Sequence, residues 1–103
     1  MPILIRPGRP ADVAAIRAVH EAAFPTAAEA RLVDLLREAG RLAASLVAEV
    51  GGAVAGHVAF SPVTVGSGAV GAGLAPLAVL PDYRRRGVGA ELVAAGMAAC
   101  REA

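Results

Sequence analysis

A mixed α+β domain with the element order β-α-α-β-β-β-α is predicted from three observations. Apolar residues recur at helical spacing up to residue 40, change to strand-like runs between residues 45 and 80, and return to helical spacing near residue 90. Gly51-Gly52 separates two apolar runs, the signal of a two-residue hairpin. Gly87 and Gly89 stand between the end of a strand-like run and the start of a helix-like one.

Composition narrows the class. A chain of 103 residues has material for one small core. Hydrophobic residues make up 56% and charged ones 18%, which excludes intrinsic disorder. The net charge of +1 gives no global basic field for nucleic acid, so any anion site has to be local. All ten basic residues are arginine, and Lys, Asn, Gln and Trp are absent. That bias makes the clustering of Arg84, Arg85 and Arg86 informative, but not the choice of Arg over Lys. A single cysteine, Cys100, excludes an intrachain disulfide and a cysteine-rich metal site, and no metal is expected. The N-terminal apolar run is too short for a signal peptide, and no stretch nears the ~20 apolar residues of a membrane helix. The default is a soluble cytoplasmic protein that binds neither membrane nor nucleic acid.

Residues 2–6 read as a first strand, closed by Pro7-Gly8 and Pro10. Asp12 caps, or sits in the first turn of, a helix with Val13, Ile16, Val19 and Ala23 at helical spacing. Thr26-Ala27-Ala28-Glu29 fits a capping box for a second helix, whose apolar positions are Leu32, Leu35, Leu36 and Ala39, with Gly40 just past its end. Strands follow over 45–50 and 54–63, then a glycine-rich turn over 66–71. A strand over 72–80 contains Pro76, which predicts a bulge or an unpaired position. The last helix carries Leu92, Val93, Gly96, Met97 and Cys100 along one face. It has no stop signal, and no residues remain for the parallel strand that normally follows such a crossover. Residues 1–103 therefore read as a single, partial domain.

Two glycine patterns invite a phosphate reading. Gly66-Ser67-Gly68-Ala69-Val70-Gly71 matches G-x-G-x-x-G, but the next segment, Ala72-Gly73-Leu74-Ala75-Pro76, does not read as a helix start, so the match is taken as a turn. Tyr83-Arg84-Arg85-Arg86-Gly87-Val88-Gly89 has the context the first pattern lacks: a strand before it and a helix after it. Glycines admit close backbone approach, the first-turn N–H groups have no intrahelical partner, and the dipole and arginines add positive charge. A local anion site, a solvated basic turn and a small nucleic-acid-binding loop all remain open on these grounds. One Tyr and two Phe offer little for base stacking.

Val79-x-Pro81-x-Tyr83-Arg84-x-x-Gly87-x-Gly89 resembles the acetyl-CoA signature of the GNAT N-acetyltransferases, Q/R-x-x-G-x-G/A. The preceding order of elements is similar to the first part of that fold. Glu29-Ala30-Arg31-Leu32-Val33 and Ala59-Phe60-Ser61-Pro62-Val63 resemble a branch of small bacterial members. The resemblance implies an acetyl-CoA-dependent transferase acting on a primary amine of a small molecule or peptide. It implies that backbone amides of Arg85, Arg86, Gly87, Val88, Gly89 and Ala90 hold the coenzyme's pyrophosphate, with Arg84 at the Q/R position. The main chain of Leu77, Ala78 and Val79 would pair with the pantetheine arm. An acyl-CoA-binding module completed by another chain, with a possible homodimer, is the alternative.

No catalytic side chain is assigned, because the signature strand carries no acidic residue. His57 shares a strand face with Ala55, Ala59 and Ser61 and reads as structural rather than as a base. Glu49 reads as a solvated carboxylate at a strand end, Tyr83 as a packing residue and Cys100 as core.

Overall fold

The computed structural model describes residues 2–40, 42–64 and 70–102. The hairpin sits at the centre of its sheet: β2 (Ala44–Val50) and β3 (Ala53–Thr64) pair antiparallel around Gly51 and Gly52. Both glycines have positive φ, 60° and 83°, the conformation a two-residue hairpin turn demands. β1 (Leu4–Pro7) adds to β2, and β4 (Val70–Val79) adds to β3, both antiparallel, giving the order β1-β2-β3-β4. α1 (Val13–Ala23), entered through a 3-10 turn at Pro10–Asp12, and α2 (Ala28–Glu38) precede the hairpin. A second 3-10 turn (Pro81–Tyr83) leads from β4 to α3 (Val88–Glu102).

Apart from irregularities at Ala48/Glu49 and opposite Ala59, the strands alternate between two faces, so the sheet builds two cores. Leu46, Ala48, Val58 and Phe60 face α3 and close over Val88 and Leu92. Val47 faces the other way and packs with Ile16 of α1 and Val33 of α2. Leu92, Val47 and Val58 have no exposed surface, and each such burial stabilises the fold by roughly 1.5–3 kcal/mol. Gly96 lets α3 lie close to the sheet: a Cβ there would overlap the ring of Phe60.

The fold class and element order agree with expectation, and so do Gly40 as a left-handed helix stop (φ 67°) and the irregularity at Pro76. The β3–β4 register runs Val58↔Leu77, then Phe60↔Leu74, so Ala75 and Pro76 together face Ala59. A proline cannot donate to the ladder, and the bulge absorbs it. β4 starts at Val70, two residues before the predicted start, and it takes in the last two residues of the G-x-G-x-x-G match; no helix comes after them. Positions 66–69 of that match lie outside the described residues.

Two helices differ from expectation. The predicted capping box does not form: Ala27 is the N-cap of α2, and Thr26 accepts only a 3.3 Å bond from the Ala28 N–H. Glu29 Oε2 is buried without a partner among the described residues. α2 buries Ala30 and Val33, while Leu32 and Leu35 are exposed. Apolar residues cover too much of this helix for spacing to choose the face. Val33 packs on Ile16 and Val47, and in this rotation Asp34 reaches Arg17 of α1 at 3.0 Å. On α3, Leu92 is buried as expected but Met97 is exposed, because Val88, Leu92 and Gly96 define the stripe that meets the sheet.

Candidate functional site

The loop between β4 and α3 is built by backbone conformation. Leu80 is tied to β3 through its N–H to Ala55 O at 2.8 Å, and Tyr83 N–H returns to Leu80 O at 2.9 Å. Two left-handed residues come next, two apart: Arg85 (φ 63°) and Gly87 (φ 82°). A non-glycine residue in that region is uncommon, so Arg85 marks a chain turned sharply by its surroundings. The first intrahelical bond of α3 runs from Glu91 N–H to Gly87 O at 3.0 Å. The N–H groups of Val88, Gly89 and Ala90 therefore have no partner within the helix, and the positive end of its dipole lies there.

Room for a ligand is present at Gly87, where a Cβ would meet nothing within 4 Å. Gly89 turns inward, and a Cβ there would make ordinary contact, at 3.8 Å, with Leu77 and Val79. The three arginines divide their work. Arg84 folds back: its Nε donates to Val79 O and its Nη2 to Ala23 O, each at 3.3 Å, so it ties the loop to β4 and to the end of α1. Arg86 stacks over the Tyr83 ring at 5.9 Å, and Tyr83 packs on the core. Arg85 is exposed.

The loop and the last residues of β4 form one continuous surface. Among the described residues β4 pairs only with β3, so its other edge presents backbone groups without a sheet partner. Ala78 is buried toward α1, while Leu77 and Val79 pack against the α3 core. All ten positions singled out in the sequence, Leu77, Ala78, Val79 and residues 84–90, thus fall on this strand end, loop and helix start.

Behind the sheet lies a polar cluster of a different kind. His57 shares the α1-facing side of β3 with Ala55 and Ala59, and its Nδ1 lies 2.9 Å from His20 Nε2. Its Nε2 lies 2.8 Å from Ser45 Oγ. Both rings have no exposed surface, and His20 also stacks on Phe24 with centroids 6.0 Å apart. Burial, aided by His20, pushes the His57 pKa down to about 3; burial also lowers that of His20. Both are neutral at pH 7. A single buried histidine on a strand was legible as structural, but His20 was missed: within a helix its partner on a distant strand leaves no local signature.

Glu49 is not a solvated carboxylate. Arg6 Nε donates to it at 2.8 Å, and the same guanidinium grips Asp12 through two bonds of 2.7 and 2.9 Å. The Arg6 guanidinium, seconded by the Arg9 N–H that donates to Asp12 at 2.7 Å, holds the Asp12 carboxyl well below the usual range. Asp12 is the N-cap residue of α1 but makes no side-chain cap bond, since Arg6 and Arg9 claim its oxygens. Cys100 is half-buried against the α3 core, as expected.

Comparison with known proteins gives a consistent picture. The sequence profile of the Acetyltransferase (GNAT) family matches residues 13–103. The uncharacterised N-acetyltransferase YhbS of Escherichia coli (strain K12) is 44% identical over 102 residues, 97% of this chain and 61% of its own length. This chain thus spans about three fifths of that curated relative. The crystal structure of Escherichia coli YhbS in complex with CoA superposes with a TM-score of 0.89 at 43% identity, over 97% of this chain and 57% of that one. A GNAT acetyltransferase from Brucella melitensis, solved with acetyl-CoA, gives a TM-score of 0.90 at 44% identity, over 98% of this chain and 70% of that one.

Proposed function

Since the chain belongs to the GNAT acetyltransferase family, we propose that it carries the coenzyme-binding part of an acetyl-CoA-dependent N-acetyltransferase, and that residues 1–103 form part of a single such domain. The observation that carries this reading is the β4–α3 loop. An open glycine at φ 82° and three unpartnered helix N–H groups adjoin an unpaired strand edge.

The residues present fit the ligand. The N–H groups of Val88, Gly89 and Ala90, with those of residues 85–87, are donors for a pyrophosphate, and the dipole and Arg85 supply the charge. The edge of β4 at Leu77, Ala78 and Val79 offers main-chain donors and acceptors to an extended amide-bearing arm, in the manner of an added strand. Arg84 holds the two halves of this surface in register through Val79 O and Ala23 O. Acetyl-CoA would supply the activated acyl group. The chain's contribution is orientation, together with a main-chain N–H near Leu77 or Val79 to stabilise a developing oxyanion. The acceptor is a primary amine on a small molecule or peptide, and it must lose a proton to react.

Calorimetric titration with acetyl-CoA tests this. Saturable one-to-one binding is expected, and Gly87→Val should abolish it while the circular dichroism spectrum keeps its shape. Unchanged affinity in folded Gly87→Val would overturn the amide cradle. Tight, salt-sensitive binding to DNA with no response to acetyl-CoA would overturn the whole reading.

A further inference from the structure

The opposite edge of the sheet carries a second cavity, unrelated to the β4–α3 loop. It is a half-open cavity of about 500 Å³ beside Gly8, which follows β1, and Ser45 of β2, between the turn that enters α1 and the C-terminal end of α2. That volume is within the range of small-molecule sites. Pro10, Val13, Ile16 and Leu42 give it an apolar wall, and Arg9, Arg37 and Ser45 supply its polar groups.

Proton placement in the histidine chain decides what Ser45 offers. Two neutral arrangements satisfy the 2.9 Å and 2.8 Å contacts of His57. In one, His57 donates to His20, and the remaining N–H of His20, at Nδ1, is buried with no acceptor among the described residues. In the other, His20 donates to His57 and His57 donates to Ser45 Oγ, leaving only a lone pair unmet at His20 Nδ1. Buried N–H groups without acceptors are rarer and costlier than unmet lone pairs, so the second arrangement is favoured. The Ser45 oxygen is then an acceptor on its buried side, and its own hydrogen is left to donate toward the cavity. Gly8 keeps the approach open: a Cβ there would stand 3.1 Å from Ser45 Oγ.

The charged residues that line the cavity, Arg9 and Arg37, are both basic. None of the residues lining it is acidic. Asp34, 2.7 Å from Arg37, is shared with Arg17 at 3.0 Å, so it neutralises Arg37 incompletely. Asp12 is already held by Arg6 and by the Arg9 N–H. Arg37 commits one donor to Asp34, and a guanidinium carries five.

We propose that this cavity is a second binding site, separate from the loop, for a small monocarboxylate with an apolar body. The carboxylate meets Arg37, Arg9 and the Ser45 hydroxyl, and the body lies along Val13, Ile16 and Leu42.

The test is calorimetry and saturation-transfer NMR with octanoate, and with acetate and octanol as probes lacking the body or the charge. Octanoate is expected to bind one-to-one whether or not coenzyme A is present at saturation, with acetate and octanol each about tenfold weaker or more. Arg37→Gln should weaken octanoate about tenfold. Ser45→Ala should do the same, but it also strips His57 of a partner. Val13→Phe therefore serves as the second variant: it fills the apolar wall, leaves the histidine chain intact and should abolish binding. Octanol binding as tightly as octanoate, displacement of octanoate by coenzyme A, or full affinity in Val13→Phe would each overturn the proposal.

Discussion

The β4–α3 loop and the Ser45–His57–His20 chain lie on either side of the same sheet and are built on opposite principles. The loop is exposed and made of main chain: its donors are N–H groups, and its shape comes from two left-handed residues. The histidine chain is buried and made of side chains, and both of its rings are held neutral by the apolar surroundings. A backbone site can tolerate changes of side chain that a buried polar chain cannot. Conditions and substitutions that separate the two therefore expose the difference.

Acid should separate them most widely. The His57 pKa is about 3 in the fold against 6.5 in an unfolded chain, so between those values the unfolded state binds a proton that the folded state refuses. Stability is full above pH 6.5 and falls as pH drops toward 3. The loss approaches about 5 kcal/mol for this residue at the acid end, at about 1.4 kcal/mol per unit. His20 is lowered too and acts in the same direction. Asp12, whose carboxyl is depressed, stabilises above its ordinary value of 3.8 and adds its own loss only below that. Urea melts from pH 7 to pH 4 should show the midpoint falling steadily, with a shallower slope in His57→Gln. A flat midpoint in the parent chain would mean that the folded protein accepts the proton.

Gly96→Leu comes next. Even a Cβ there overlaps the Phe60 ring, and overpacking of this kind costs about 1–3 kcal/mol or more. A drop in thermal midpoint is expected, and Phe60→Ala in the same chain should restore part of it by opening space. Independent, additive losses would show that the two residues do not compete for one volume.

The contrast between these regions also explains what the sequence made legible. Loop, hairpin and bulge were readable because glycine and proline report backbone requirements directly: Gly87 at φ 82°, Gly51 and Gly52 at the turn, and Pro76 opposite Ala59. The rotation of α2 and the partners of Glu49 and His57 were not. They depend on residues far apart in the chain, such as Asp34 with Arg17 and Arg6 with Glu49, and nothing in local spacing encodes those distances. His20 illustrates the limit, since a histidine within an otherwise ordinary helix gains its meaning only when β3 is laid against it.

The smallest expected effect is also the most discriminating. Gly87 and Gly89 look equivalent in the motif but meet different surroundings. A side chain at Gly87 has space but the wrong backbone region, so Gly87→Ala should cost about 1 kcal/mol of stability and also obstruct the cradle. Gly89 has no positive φ, and a Cβ there would sit 3.8 Å from Leu77 and Val79. Gly89→Ala should therefore leave stability within about 0.5 kcal/mol of the parent, helped by the better helix propensity of alanine. Thermal melts and acetyl-CoA titrations of both variants divide the two roles. If the ligand contacts the backbone at residue 89 closely, Gly89→Ala loses affinity with its stability intact, and the glycine is there for the ligand. If affinity and stability are both unchanged, recognition rests on Gly87 and the free N–H groups alone, and neither the ligand nor the packing of α3 against β4 requires a glycine at position 89.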